Sequence, residues 1–169
     1  MTATVCTLKA SRIMSVVRQS IAYHNVFELE APPERVFPLL CPVREHEWIP
    51  TWKAEIVHSK SGFAELDCVF RTDNPVEGKR TWICTHYKPP RAIEYTSFSD
   101  LGYIMCIGIQ LQLRGESATH VAWSRRFIAT NPSGEDWIEQ MDKAPASKAT
   151  EGLAMLLGHF LKTGSMLKP

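Results

Sequence analysis

The chain reads as an α+β domain: a curved antiparallel sheet of about seven strands folded around one long C-terminal helix. Three observations predict this. Short segments of alternating apolar and polar residues recur from residue 21 to residue 130, the period of strands with one buried face. The links between them are hairpin-length and carry Gly, Pro, Asn and Asp, which suits antiparallel neighbours. The long stretch with helical periodicity, residues 145–163, comes after the strands, and a single terminal helix cannot cover both faces of a parallel sheet.

Composition narrows the class further. At 169 residues and 44% hydrophobic, the chain is one ordinary domain with room for a substantial core. A net charge of +1 with scattered basic residues leaves no footprint for nucleic acid or an acidic membrane surface. No apolar run reaches the roughly 18 residues of a spanning helix. Five cysteines (Cys6, Cys41, Cys68, Cys84, Cys106), odd in number and never in C-x-x-C, point to reduced thiols in a cytoplasmic setting and to small buried hydrophobes. The six histidines form neither H-x-x-x-H nor H-E-x-x-H, so no metal site is expected. G-x-S-x-G, P-loop and G-x-G-x-x-G signatures are missing, and no cofactor is expected. Residues 1–18 read as a flexible N-terminal arm, with Met14 as an alternative start, and residues 19–169 as the single domain.

The elements follow in order. Ile21 to Glu30 alternates, with Ile21, Tyr23, Phe27 and Leu29 on one face. Pro32-Pro33 stops that strand and starts a short helix whose apolar face is Val36, Phe37, Leu39 and Leu40. Arg44 to Pro50 predicts a second short helix or turn, and its Glu45-His46-Glu47 reads as a solvated loop. Strands are predicted at 53–59, 63–72, 79–87, 92–98, 103–113 and 119–130. Ser133-x-x-Asp136 resembles a capping box that opens a helix through Trp137, Ile138 and Met141, and Pro145 divides it from the last helix. On that last helix Ala146, Ala149, Leu153, Leu156, Leu157 and Phe160 share one side, while Lys148, Glu151, His159 and Lys162 share the other. Gly164 closes it.

Four pieces together resemble the START/Bet v 1-like superfamily (SRPBCC, helix-grip proteins), nearest in flavour to its polyketide cyclase/dehydrase-like branch. They are FELEAPPERVFPLL (Phe27 to Leu40), KPPRAIEY (Lys88 to Tyr95), THVAWSRRF (Thr119 to Phe127) and the final amphipathic helix. The resemblance covers about residues 20 to 163 and implies a seven-stranded sheet, two short helices after the first strand, and a long helix over a hydrophobic cavity. In that architecture Met105, Ile107 and Ile109 are wall residues, and Leu153, Leu156, Leu157 and Phe160 the roof. Trp48, Trp52, Phe70, Trp82, Tyr95 and Trp123 are further candidate ligand-binding residues, as four tryptophans in the cavity-forming region suit a ring-bearing or long-chain ligand. Trp82, Cys84 and His86 are expected on one face, with His86 a candidate acid/base. Arg125, on the parity of Trp123, is placed to meet a carboxylate or phenolate.

No residue is assigned as catalytic. The function expected is binding or transport of a hydrophobic small molecule by a monomer or homodimer. A cyclase, dehydrase or aromatase working in the same cavity is the alternative, and a protein-interaction module the third reading. Superfamily membership does not choose among them.

Overall fold

The alternation that starts at Ile21 becomes β1 (Ser20–Leu29), and Pro33 opens the short helix α1 (Pro33–Val36), where its missing N–H has no partner to lose. Two 3-10 turns follow, Phe37–Leu40 and Glu45–Glu47. Then come β2 (Ala54–His58), β3 (Val69–Asn74), β4 (Gly78–Lys88), β5 (Ala92–Ser99), β6 (Tyr103–Arg114) and β7 (Ala118–Ala129), and finally α2 (Pro132–Lys143) and α3 (Ala146–Thr163). The computed structural model describes residues 18–74, 78–143 and 146–168. The expected arm before Arg18, the turn at Pro75 and the division at Pro145 lie outside the described residues.

The seven strands make one antiparallel sheet in the order β1-β7-β6-β5-β4-β3-β2. Registers fall into continuous cross-strand rows on the buried face. One row crosses the whole sheet: Ile56, Phe70, Trp82, Ser97, Met105, Phe127, Ile21. The next holds Cys84, Tyr95, Ile107, Arg125 and Tyr23. Because the side-chain period is two, these rows fix which residues meet the helices. α3 rests on β1 and β7: Arg125 reaches the Thr150 hydroxyl, and Gly158 lies over Leu29. α2 covers the other end of the sheet, with Trp137 stacked on Tyr103 at 3.9 Å and close to Phe127. Arg35 ties α1 to α3 by donating to the carbonyl of Leu161 at 3.0 Å.

Three expectations need correction. The strand expected from Phe63 begins only at Val69, because local bonds hold residues 59–67 as a loop. The Glu65 carboxylate accepts from the Lys60 and Ser61 amides and from Ser59 Oγ, a side-chain alternative to the sheet ladder. Phe63 and Leu66 are left exposed on it. The cap of α2 is Asn131, not Ser133: Asn131 Oδ1 accepts the Gly134 amide at 2.9 Å, and Ser133 already lies inside the helix. The buried line of α3 runs Thr150–Leu157–Leu161, so Ala149 is exposed and the stripe is rotated toward the residue that meets Arg125. Gly164 does close α3, at φ 69° with its amide on Phe160 O.

Candidate functional site

The site is built from the buried face of the sheet outward. On β6, Met105 and Ile109 are buried and Ile107 is half-buried, all facing the helices as their alternation predicts. On β7, Trp123 and Arg125 share that face, with Trp123 opposite Ile109 and Arg125 opposite Ile107. On α3, Leu157 is buried and Leu153 half-buried. Phe70 stacks flat on Trp82 with centroids 5.6 Å apart and meets Tyr95 edge-on at 5.5 Å, forming an aromatic floor on β3, β4 and β5.

Polar groups pin most of this wall in place. Trp48 Nε1 donates to Leu39 O at 2.9 Å and Trp52 Nε1 to Pro42 O at 2.8 Å, so both indoles are anchored to the segment after α1. Trp82 Nε1 donates to Thr72 Oγ1 at 2.9 Å, and the Tyr95 hydroxyl donates to Leu40 O at 3.0 Å. Trp123 differs: its Nε1 is buried and has no hydrogen-bond partner among the described residues.

His86 does not join this face. A β-bulge between Cys84 and His86 inserts one extra residue opposite β5, which reverses the parity of β4 beyond it. His86 is therefore exposed, and Tyr87 turns inward to meet Phe37 edge-on at 5.5 Å.

Two groups were not singled out from the sequence. Arg80 is buried on β4, donates to the Tyr103 hydroxyl, and lies 5.7 Å from the Trp82 ring and 5.3 Å from the Tyr103 ring. The signal for it was parity, since it stands two residues before Trp82. Glu45 is the second. It sits on the 3-10 turn expected to be a solvated loop, and burial pushes its carboxyl up to about 8. Its charge lies close enough to the Tyr95 hydroxyl and the Cys41 thiol to raise both, although burial is the main cause at each. The carboxyl has no hydrogen-bond or ion-pair partner among the described residues, yet Glu45 keeps part of its surface accessible. Its neighbours on the turn behave differently: Arg44 holds Glu47 through paired bonds of 2.7 and 2.9 Å, which lowers the Glu47 carboxyl.

The thiols of Cys41, Cys68 and Cys84 are buried and raised by desolvation, Cys84 to about 12, as expected of cysteines that pack rather than react. Among the described residues no group of three His, Cys, Asp or Glu could hold a metal ion. An apolar groove of about 340 Å³ opens beside this region, between Phe37, Cys41, Arg44, Phe63, Tyr87 and Pro89.

No family model and no curated protein matches the chain. Solved structures do. Norcoclaurine synthase from Thalictrum flavum superposes with a TM-score of 0.67 at 12% identity, over 96% of this chain and 99% of that one. Protein MLL2253 from Mesorhizobium loti matches with a TM-score of 0.59 at 14% identity, over 85% and 97% of the two chains. CalU16 from Micromonospora echinospora matches with a TM-score of 0.53 at 14% identity, over 86% and 77%. The fold is therefore the START/Bet v 1-like helix-grip fold, and at these identities the likeness speaks for the fold alone. No described helix is long and apolar enough to cross a membrane.

Proposed function

We propose that the chain binds a hydrophobic small molecule with rings or a long apolar body, held between the sheet and α3. The observation that carries this is an apolar seam that does not seal. Tyr23, Phe27 and Ile107 on the sheet and Leu153, Leu156 and Phe160 on α3 pack against the core, yet each is only half-buried. Interiors are close-packed, and apolar side chains on facing elements that keep accessible surface suit a ligand pocket better than a finished core. Trp48, Trp52, Phe70, Trp82, Tyr95, Met105, Ile109, Trp123, Arg125 and Leu157 would form its walls. A norcoclaurine synthase structure of this fold is described in complex with dopamine and hydroxybenzaldehyde, which supports small aromatic ligands as a reading here.

Native mass spectrometry of the purified chain, with extraction of any adduct, tests the proposal. A bound species of a few hundred daltons, displaced by an environment-sensitive hydrophobic dye, is expected. A ligand-free chain that binds no such dye would refute it.

A cyclase or dehydrase reading is favoured by one observation, the desolvated Glu45 carboxyl beside the Tyr95 hydroxyl, since pairs of shifted groups in a pocket are what proton transfer uses. Chemical change of the extracted ligand on incubation with the chain, abolished in Glu45→Gln, is the result expected of that reading; unchanged ligand rejects it.

A further inference from the structure

The geometry points to Glu45 as the recognition point for a positively charged amine, so that the ligand of this site is a hydrophobic molecule ending in a protonated amino group. The inference rests on the small-molecule reading above and narrows the ligand class.

Glu45 lies on the segment that carries the Trp48 and Trp52 anchors, against the Tyr95 end of the aromatic floor. A carboxylate in such surroundings is costly unless a cation or several donors meet it. None of the groups facing it supplies either. From its own segment it faces Cys41, whose sulfur already accepts the Ala64 amide at 3.1 Å. From β5 it faces Tyr95, whose hydroxyl donates to Leu40 O instead. Behind Tyr95 stand Cys84 on β4 and Cys68 before β3, both thiols. Arg44, the adjacent cation, is held by Glu47. Arg125 lies two strands from Tyr95 in the same row and is bound to Thr150, and Arg80 is bound to Tyr103. Every ionisable group that acts on this carboxyl is thus one that becomes negative or stays neutral.

An ammonium group completes such a site. It would ion-pair with the Glu45 carboxylate, donate to it at short range, and bring its apolar body against Tyr95, Phe70 and Trp82, whose ring faces also favour a cation. Acidic ligands would be drawn to the arginine rows instead, so the two ends of the face discriminate by charge.

The association carries a proton signature. Because burial holds the free carboxyl near pKa 8, it is mostly protonated at pH 7 and must lose its proton to pair with an ammonium. Isothermal titration calorimetry in two buffers of different ionisation enthalpy reads this directly. The probes are 2-phenylethylamine and tryptamine, each against the neutral alcohol in which hydroxyl replaces the amino group. Expected at pH 7 is release of close to one proton on binding the amines and none on binding the alcohols. Glu45→Gln is expected to abolish the release and weaken the amines at least tenfold, leaving the alcohols within twofold. Alcohols that bind as well as the amines, or amine binding with no proton released and no loss in Glu45→Gln, would overturn the amine assignment while leaving the small-molecule reading in place. If neither amines nor alcohols bind the native chain, both fall. Glu45→Asp serves as a folding control: a shortened carboxylate retains proton release if the charge, and not the shape of Gln, matters.

Discussion

Glu45 makes the folded chain's stability depend on pH in a defined direction. Its carboxyl titrates at about 8 in the native state, against an ordinary value of 4.5, because burial disfavours the charged form. The folded state therefore holds more protons than the unfolded chain between those values, and stability falls as pH rises through that window. The contribution is fully present below about pH 4.5 and lost above about pH 8. Glu45→Gln, which cannot ionise, is expected to flatten this slope and to be the more stable form at pH 9, by on the order of 3 kcal/mol. Urea midpoints of the two proteins at pH 5, 7 and 9 measure it; parallel profiles would show that the carboxyl is solvated. Nothing in the sequence marked this residue. Glu-His-Glu beside prolines reads as a wet turn, and its depth depends on Trp48 and Trp52 being pulled onto carbonyls of the preceding segment. Arg80, by contrast, was legible: it shares the parity of Trp82, and the buried face of β4 follows from that alone.

At the scale of elements, periodicity located all seven strands and both long helices, and it failed where one residue changed the count or a side chain offered the backbone a better bond. The bulge after Cys84 sent His86 outward, and no composition signal marks a one-residue insertion. The joint between the β5–β6 turn and α2 shows the same point in another form. A Cβ on Gly134 would stand 1.8 Å from the carbonyl oxygen of Gly102, which itself sits at φ 87° and accepts the Thr130 amide at 2.8 Å. Gly134→Ala must push α2 off the sheet, and a loss of roughly 2–4 kcal/mol in chemical unfolding is expected. The glycines inside α3 behave oppositely. A Cβ at Gly152 meets no described atom within 4 Å, and one at Gly158 meets Leu29 Cδ2 at an ordinary 3.6 Å. Close packing therefore explains neither, and Gly152→Ala and Gly158→Ala should each stabilise by about 0.5–1 kcal/mol through helix propensity. If these glycines let α3 yield to a ligand, the same substitutions slow dye release in stopped flow. Raised stability with an unchanged release rate would separate the two effects.

For the whole molecule, the open issue is whether α3 is a detachable lid or a wall of the core. The first strand pairs with the last, and α3 lies along that closing pair. Its anchors are distributed: Thr150 takes Arg125 at one end, Leu157 and Gly158 cover Leu29 in the middle, and Leu161 is buried and accepts Arg35 at the other. Between these, Leu153, Leu156 and Phe160 are half-buried. A helix held at both ends and loose along one flank can shift to admit a ligand, but it cannot leave without baring Leu29, Val121 and Phe127 to water. At about 25 cal/mol per Å² of apolar surface, exposing these side chains alone costs several kcal/mol, a large share of the 5–15 kcal/mol that holds a domain together. Ending the chain after Lys143 is therefore expected to give an expanded state that binds anilinonaphthalene sulfonate and loses near-ultraviolet circular dichroism while keeping much of its strand signal. A truncated chain that still unfolded cooperatively would make α3 a true lid; the distribution of its anchors argues that gating is confined to the loose flank.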